Sequence, residues 1–377
     1  MFKQFIRISS NGALPFGVFL FFAYMLAKAP LLLLGQRDLD GVTLFGMSVI
    51  LLVLMLSAVV WLVIYRKVHA SFFLITFNLL FFLNLSLGEF NSFGFFKYVS
   101  LSLFISLTAL VFCLLPRRHS LAESLLVFAG LLAVYGAGAV FWGVIKGVQF
   151  SLREATIGIN GPIVFGQLMI IASAIFFLYG NRRLVLGGGS ALLSLVSYSK
   201  GPLLAGLFVL FLKRKIFFVL LLALAIGVAF ILPSQFFDNR FFYFIESVYQ
   251  SVTSSDADVL LSGSNYGSVG SRLEQYVLAV GLLSDYPFGI GVGQWGLYSE
   301  HQYPHNYIVE VLVEQGLLLG GASLLMMLLF ATQAVDRNLR YLVVMFFLFS
   351  MFSGSVIDNR GIYFVVLLGL LYRSDDK

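Results

Sequence analysis

Long apolar stretches recur along almost the whole chain, and they leave few architectures open. "LFGMSVILLVLMLSAVVWLVIY" (44–65) carries no charge, and about 18 to 20 apolar residues are what one helical crossing of hydrocarbon needs. Charged residues make up 11% of the 377 and hydrophobic ones 60%, where a soluble domain carries roughly 25% charged. Mean hydropathy is +0.96. Strand-type alternation is missing, which argues against an outer-membrane barrel. An all-α, polytopic membrane protein is therefore expected. Its single cysteine, Cys113, stands in an apolar run and permits neither a disulfide framework nor a cysteine metal cluster.

Apolar runs and their flanks predict twelve transmembrane helices, near 14–34, 42–65, 71–88, 93–115, 121–145, 162–180, 184–198, 202–212, 216–232, 306–330, 341–354 and 361–372. The basic start is read as leading into an uncleaved first span. Orientation follows from the cations. With the N-terminus inside, 15 of the 24 Lys and Arg fall in cytoplasmic segments, among them Arg66 and Lys67, Arg182 and Arg183, and Lys213 to Lys215. The positive-inside rule selects that arrangement, with both termini cytoplasmic. It also explains the net charge of +6 without nucleic acid. Residues 1–377 then form one membrane domain, and 233–305 form a single large outer loop between the ninth and tenth helices. Loops of this length are usually functional or disordered. Its stretches "FFYFIESVYQSV" and "SRLEQYVLAVGLL" read as short interfacial helices.

The same loop contains a formal G-x-G-x-x-G at Gly291, Gly293 and Gly296. A dinucleotide site needs that pattern between a strand and a helix, with an acidic residue some twenty positions on. Neither context is present. The glycines, Gly289 and Gly291 among them, read instead as a tight backbone turn that returns the loop to the membrane.

Nine cations remain for the outer side: Lys28, Arg37, Lys97, Lys146, Arg153, Lys200, Arg240, Arg272 and Arg360. Any one of them can be a side chain snorkelling at the headgroups. Several from separate loops can instead converge into the cationic cluster that a diphosphate requires. His305 sits between Pro304 and Asn306, and Asn306 is a natural cap for the tenth helix. Glu310 and Glu314 follow at fourfold spacing on one helical face. The histidine reads either as an interfacial polar residue or as a general base near neutral pH. A metal pair with His301 is rejected, because Pro304 intervenes and no third ligand follows at suitable spacing.

"SRLEQYVLAVGLLSDYPFGIGVGQWGLYSEHQYPHNYIVEVLVEQGLLLGG" resembles the signature region of the O-antigen ligase and O-antigen polymerase superfamily. The matching positions are Arg272, the turn from Pro287 through Gly289 and Gly291, His305 with Asn306, and Gly316 after nine residues. "YSKGP" is similar to the family's earlier outer tip, with Lys200 where arginine is favoured; this keeps the charge and loses the bidentate fork.

The resemblance implies a GT-C-like, inverting glycosyltransferase of the bacterial inner membrane, metal-independent and without cofactor, with its active site at the periplasmic face. Donor and acceptor would be undecaprenyl-diphosphate-linked glycans among membrane lipids, with a chain-length regulator protein as a further partner and no nucleic acid. His305 would serve as base and Arg272 as a catalytic cation. Arg272, Lys200, Arg153 and Arg360 would hold the diphosphate, with Asn306, Glu310, Gly289 and Gly291 in support. A polymerase is the leading reading. The alternatives are a ligase that delivers glycan to lipid A core, transfer to a protein acceptor, and a lipid-linked sugar flippase. Flippases place ionisable residues near the bilayer midplane, whereas the spans here read as nearly charge-free.

Overall fold

The computed structural model describes residues 12–34, 41–87, 91–115, 120–145, 162–180, 184–196, 200–213, 267–333, 336–352 and 355–373. Among them are thirteen α-helices and no strand: α1 (Ala13–Leu26), α2 (Ala29–Leu34), α3 (Gly41–Ile64), α4 (Val68–Leu87), α5 (Ser92–Leu114), α6 (Leu121–Ile145) and α7 (Pro162–Tyr179). They continue with α8 (Leu184–Val196), α9 (Lys200–Lys213), α10 (Gly267–Asp285), α11 (Tyr307–Thr332), α12 (Arg337–Phe352) and α13 (Arg360–Leu371). The first expected span is divided at Ala27 and Lys28 into α1 and α2. The ninth expected span and 233–266 lie outside the described residues.

By length and composition, six described stretches suffice to cross a membrane: Ala13–Leu31, Thr43–Ile64, Val68–Ser86, Ser92–Leu114, Leu121–Trp142 and Tyr307–Thr332. This is a multi-pass membrane protein. Its helices are apolar nearly all round, as lipid demands of their outer faces. On α3, Phe45, Ile50, Val53, Val60 and Ile64 are exposed, an arrangement that hydrocarbon tolerates and water would not.

The centre of the bundle is α13. Every residue from Arg360 to Leu371 is buried, among α4, α5, α11 and α12. Phe364 meets Tyr24, Phe104 and Phe128 at ring-centroid distances of 5.7 to 5.8 Å, a spacing at which aromatic rings attract. The residues just before it, 355–359, are irregular yet buried. Irregular backbone survives at such depth only where protein groups satisfy it, and carboxylates do so here. Glu310 accepts from Val356 N at 2.8 Å, and Asp358 accepts from Ser355 N at 3.1 Å.

The glycine turn answers for itself in its contacts with α11, which is broken at Gly316 (φ 76°). A break strands carbonyls above it and N–H groups below it. The turn supplies both sets of partners. Ile290 N donates to Val313 O and Gly291 N to Glu314 O, each at 3.0 Å, while Leu317 N donates to Pro287 O at 2.9 Å. Backbones must nearly touch for this to happen. A Cβ on Gly316 would lie 2.2 Å from the Phe288 carbonyl carbon, and one on Gly289 (φ 95°) would lie 2.5 Å from Gly316 N. Gly316→Ala should therefore cost at least about 2 kcal/mol, since a strained dihedral and a backbone clash coincide. A lowered thermal unfolding midpoint in detergent checks this; an unchanged midpoint would mean that the break relaxes without penalty.

Two chemically distinct ends result. Beyond the C-terminus of α13, the Arg373 carbonyl accepts from Lys67 Nζ at 2.5 Å, and Arg373 donates to Gln333 at 3.1 Å. Lys213 bonds Asn338 and the Leu178 carbonyl. These residues belong to the connections expected to be cytoplasmic. At the other end of α13, Arg360, Asp358 and Lys28 meet beside the start of α11.

Candidate functional site

The head of α11 is built by its capping residue. Asn306 Oδ1 accepts from Ile308 N at 3.0 Å and Val309 N at 3.3 Å, which satisfies two of the helix's orphan donors. Its amide also reaches the Tyr276 hydroxyl on α10 at 3.5 Å. His305 precedes the cap with φ 55°, one of two non-glycine residues with positive φ among those described. Such backbone is uncommon for histidine and merits attention when found beside a polar cluster.

His305 is half-buried, with its ring 4.7 Å from the Tyr303 ring and 5.8 Å from that of His301. Burial above all, then the nearby Arg272 and His301, pushes its pKa below the ordinary imidazole value; Asp358 acts the other way. The neutral form is thereby favoured. The Tyr303 hydroxyl is pushed up to about 12 by burial first, then by Asp358 and Glu310, against an opposing pull from Lys97. It stays an O–H donor at any working pH.

Behind this head lies an ionic knot. Lys97 Nζ on α5 contacts Glu310 Oε1 at 2.6 Å and Glu314 Oε1 at 2.9 Å, and all three side chains are fully or almost fully buried. Glu310 turns its other oxygen to Val356 N, so one carboxylate joins α5, α11 and the 355–359 segment. A headgroup-anchor reading fails for Lys97, which the bundle encloses completely. Glu310 ties the first turn of α11 to α5 and to the 355–359 segment.

Arg360 is buried as well. Its Nε donates to the Tyr24 carbonyl at 2.9 Å and its Nη1 to the Ile357 carbonyl at 3.2 Å, while Nη2 has no hydrogen-bond partner among the described residues. The guanidinium also stacks 4.5 Å from the Tyr24 ring. Lys28 Nζ bridges Asp358 Oδ1 at 2.7 Å. Lys200 is the first residue of α9, which packs on α7, α8 and α12. Arg153 lies outside the described residues.

The structure thus sets His305 and Asn306 at the head of α11, within the electrostatic reach of Arg272, with Glu310 in its first turn bonded to the segment that leads into Arg360. The turn carrying Gly289 and Gly291 lies further along α11, against the break at Gly316. Sequence reading left Lys28, Lys97, Tyr303, Glu314 and Asp358 without roles. One signal was available for two of them: an isolated lysine in the apolar run "FGFFKYVSLSLF" and a carboxylate pair at fourfold spacing are each costly in a bilayer unless paired.

Fold and cluster together define a multi-pass helical membrane protein with a polar, cation-bearing head at one end of its bundle. Residues 155–324 match the family described as O-antigen ligase, and for that segment the resemblance to the O-antigen ligase and polymerase superfamily is shown. The match takes in Lys200, Arg272, the glycine turn, His305 and both glutamates. It implies a glycosyltransferase-like enzyme. No curated protein matches the chain.

Proposed function

We propose that the protein is an inverting glycosyltransferase of the bacterial inner membrane that extends a surface polysaccharide at the periplasmic face. It would transfer undecaprenyl-diphosphate-linked glycan onto the next lipid-linked repeat unit. The observation that carries this reading is His305 at the capped head of α11, half-buried with positive φ and placed so that burial and the charge of Arg272 favour its neutral form. The acceptor hydroxyl oxygen attacks the anomeric carbon from the face opposite the leaving group, and its proton passes to His305. The broken C–O bond leaves its electron pair on undecaprenyl diphosphate, whose growing charge Arg272 and Lys200 stabilise. Arg153 and Arg360 are assigned to the same diphosphate. These cations take the part that a metal plays in other phosphate chemistry, so transfer should persist in excess chelator.

Transfer to lipid A core is the second reading, favoured by the description of the matching family as a ligase. Mass spectrometry of lipid-linked glycans separates the two. Purified protein given undecaprenyl-diphosphate repeat units alone should extend them. Reaction only after addition of lipid A core would replace the polymerase with the ligase. Transport without any new glycosidic bond would overturn both.

A further inference from the structure

Lys28 occupies a turn between α1 and α2, where the first apolar stretch is interrupted. Its side chain is 19% exposed, whereas its partner Asp358 is 5% exposed. The asymmetry matters. Asp358 is held by the fold itself, since its second oxygen accepts from Ser355 N at 3.1 Å and Ser355 Oγ at 3.4 Å. Among the described residues Lys28 has one tie, the 2.7 Å contact to Asp358 Oδ1, on a flexible four-carbon stem that can swing.

The pair also stands in the right company. Asp358 is near enough to His305 and to Tyr303 to influence both ionisations. Two residues on, Arg360 is fully buried, and its Nη2 has no hydrogen-bond partner among the described residues. A buried guanidinium nitrogen left unsatisfied is costly, and an anion lodged beside it would remove that cost. A movable ammonium is thus held by a carboxylate two residues before an under-bonded guanidinium, and that carboxylate also influences the ionisation of the histidine.

We propose that Lys28 is a further diphosphate-contacting residue, parked on Asp358 in the free protein and released to the anion when the lipid-linked substrate binds. This rests on the transferase reading above and extends it beyond the segment that the family matches. Asp358 then competes with the substrate for the ammonium and sets how readily it is given up.

A plain structural salt bridge and a substrate ligand predict different outcomes, because losing either partner destroys the same bridge. Binding of undecaprenyl diphosphate to full-length protein in nanodiscs is the measurement, with inorganic diphosphate as competitor to separate phosphate recognition from lipid recognition. Lys28→Met should raise the Kd by roughly tenfold or more, the loss of a charge-assisted contact. Asp358→Asn should leave the Kd unchanged or lower it, and Lys28→Arg should bind like wild type. Thermal midpoints in detergent report whether the two bridge-breaking variants are equally folded. Equal weakening by Lys28→Met and Asp358→Asn would reduce the pair to a staple and overturn the proposal. So would unchanged binding in Lys28→Met, while wild-type transfer activity would still uphold the transferase reading. Wild-type protein that neither binds the lipid nor transfers glycan would overturn both.

Discussion

His305→Ala should lower the transfer rate by on the order of 10²- to 10⁴-fold, the usual contribution of a positioned base. It should also erase the rise of rate with pH. A base must be neutral to accept the hydroxyl proton. Burial first, then Arg272 and His301, holds the His305 pKa below its ordinary value. The wild-type rate should therefore climb through a single ionisation lying below the ordinary histidine range and be level by neutrality. A histidine that served as a cationic phosphate ligand would show the opposite slope, losing rate as pH rises. Stability follows the same sign. Above the ordinary value the residue is neutral both folded and unfolded and contributes nothing. As pH falls through that value, the unfolded chain takes the proton first and the fold is weakened. Steady-state rates from pH 5 to 8 decide the role: a falling wild-type profile, or an alanine variant with the same profile, would remove His305 as the base.

Lys97→Met should be the most damaging single change to the fold, costing about 3 to 5 kcal/mol. The lysine lies between Glu310 and Glu314, with contacts of 2.6 and 2.9 Å and no solvent exposure. Removing it leaves two carboxylates facing each other in an apolar interior. The triple variant Lys97→Met, Glu310→Gln, Glu314→Gln should recover much of that loss, because the uncompensated charge goes with its partner. Unfolding in detergent, followed by far-UV circular dichroism, compares the two. A single variant as stable as wild type would show that the knot does not hold α5 to α11.

How much of this could be read from the chain varies with the physics behind each feature. Among the described residues, the long apolar helices were legible because hydrocarbon imposes one rule on every crossing residue. The Asn306 cap was legible because capping is local, confined to three residues. The break at Gly316 was not, since the apolar pattern runs through it unchanged and its partners lie near residue 290. Lys28 and Asp358 are 330 positions apart, and no local rule pairs them. Lys97 was visible as an anomaly, but its burial depends on which faces of α5 and α11 meet. Arg360 was picked out as an outer cation, and the structure shows it fully buried. Its ties to Tyr24 and Ile357 come from the packing around α13.

The brevity of α13 has a consequence for where the chemistry takes place relative to the lipid. Twelve residues rise about 18 Å at ~1.5 Å each, against hydrocarbon roughly 30 Å thick. On the proposed reading, with its far end fastened to the basic cluster at Lys67 and Arg373 on the cytoplasmic side, Arg360 would stop well short of the opposite surface. On that placement Asp358, Lys28 and the head of α11 would be drawn inward with it, to the floor of a recess below the level of the headgroups. On the proposed reading, a polyprenyl diphosphate would keep its tail in the bilayer and sink its phosphates to meet the protein. The growing glycan, hydrophilic and bulky, would stay in water above the rim.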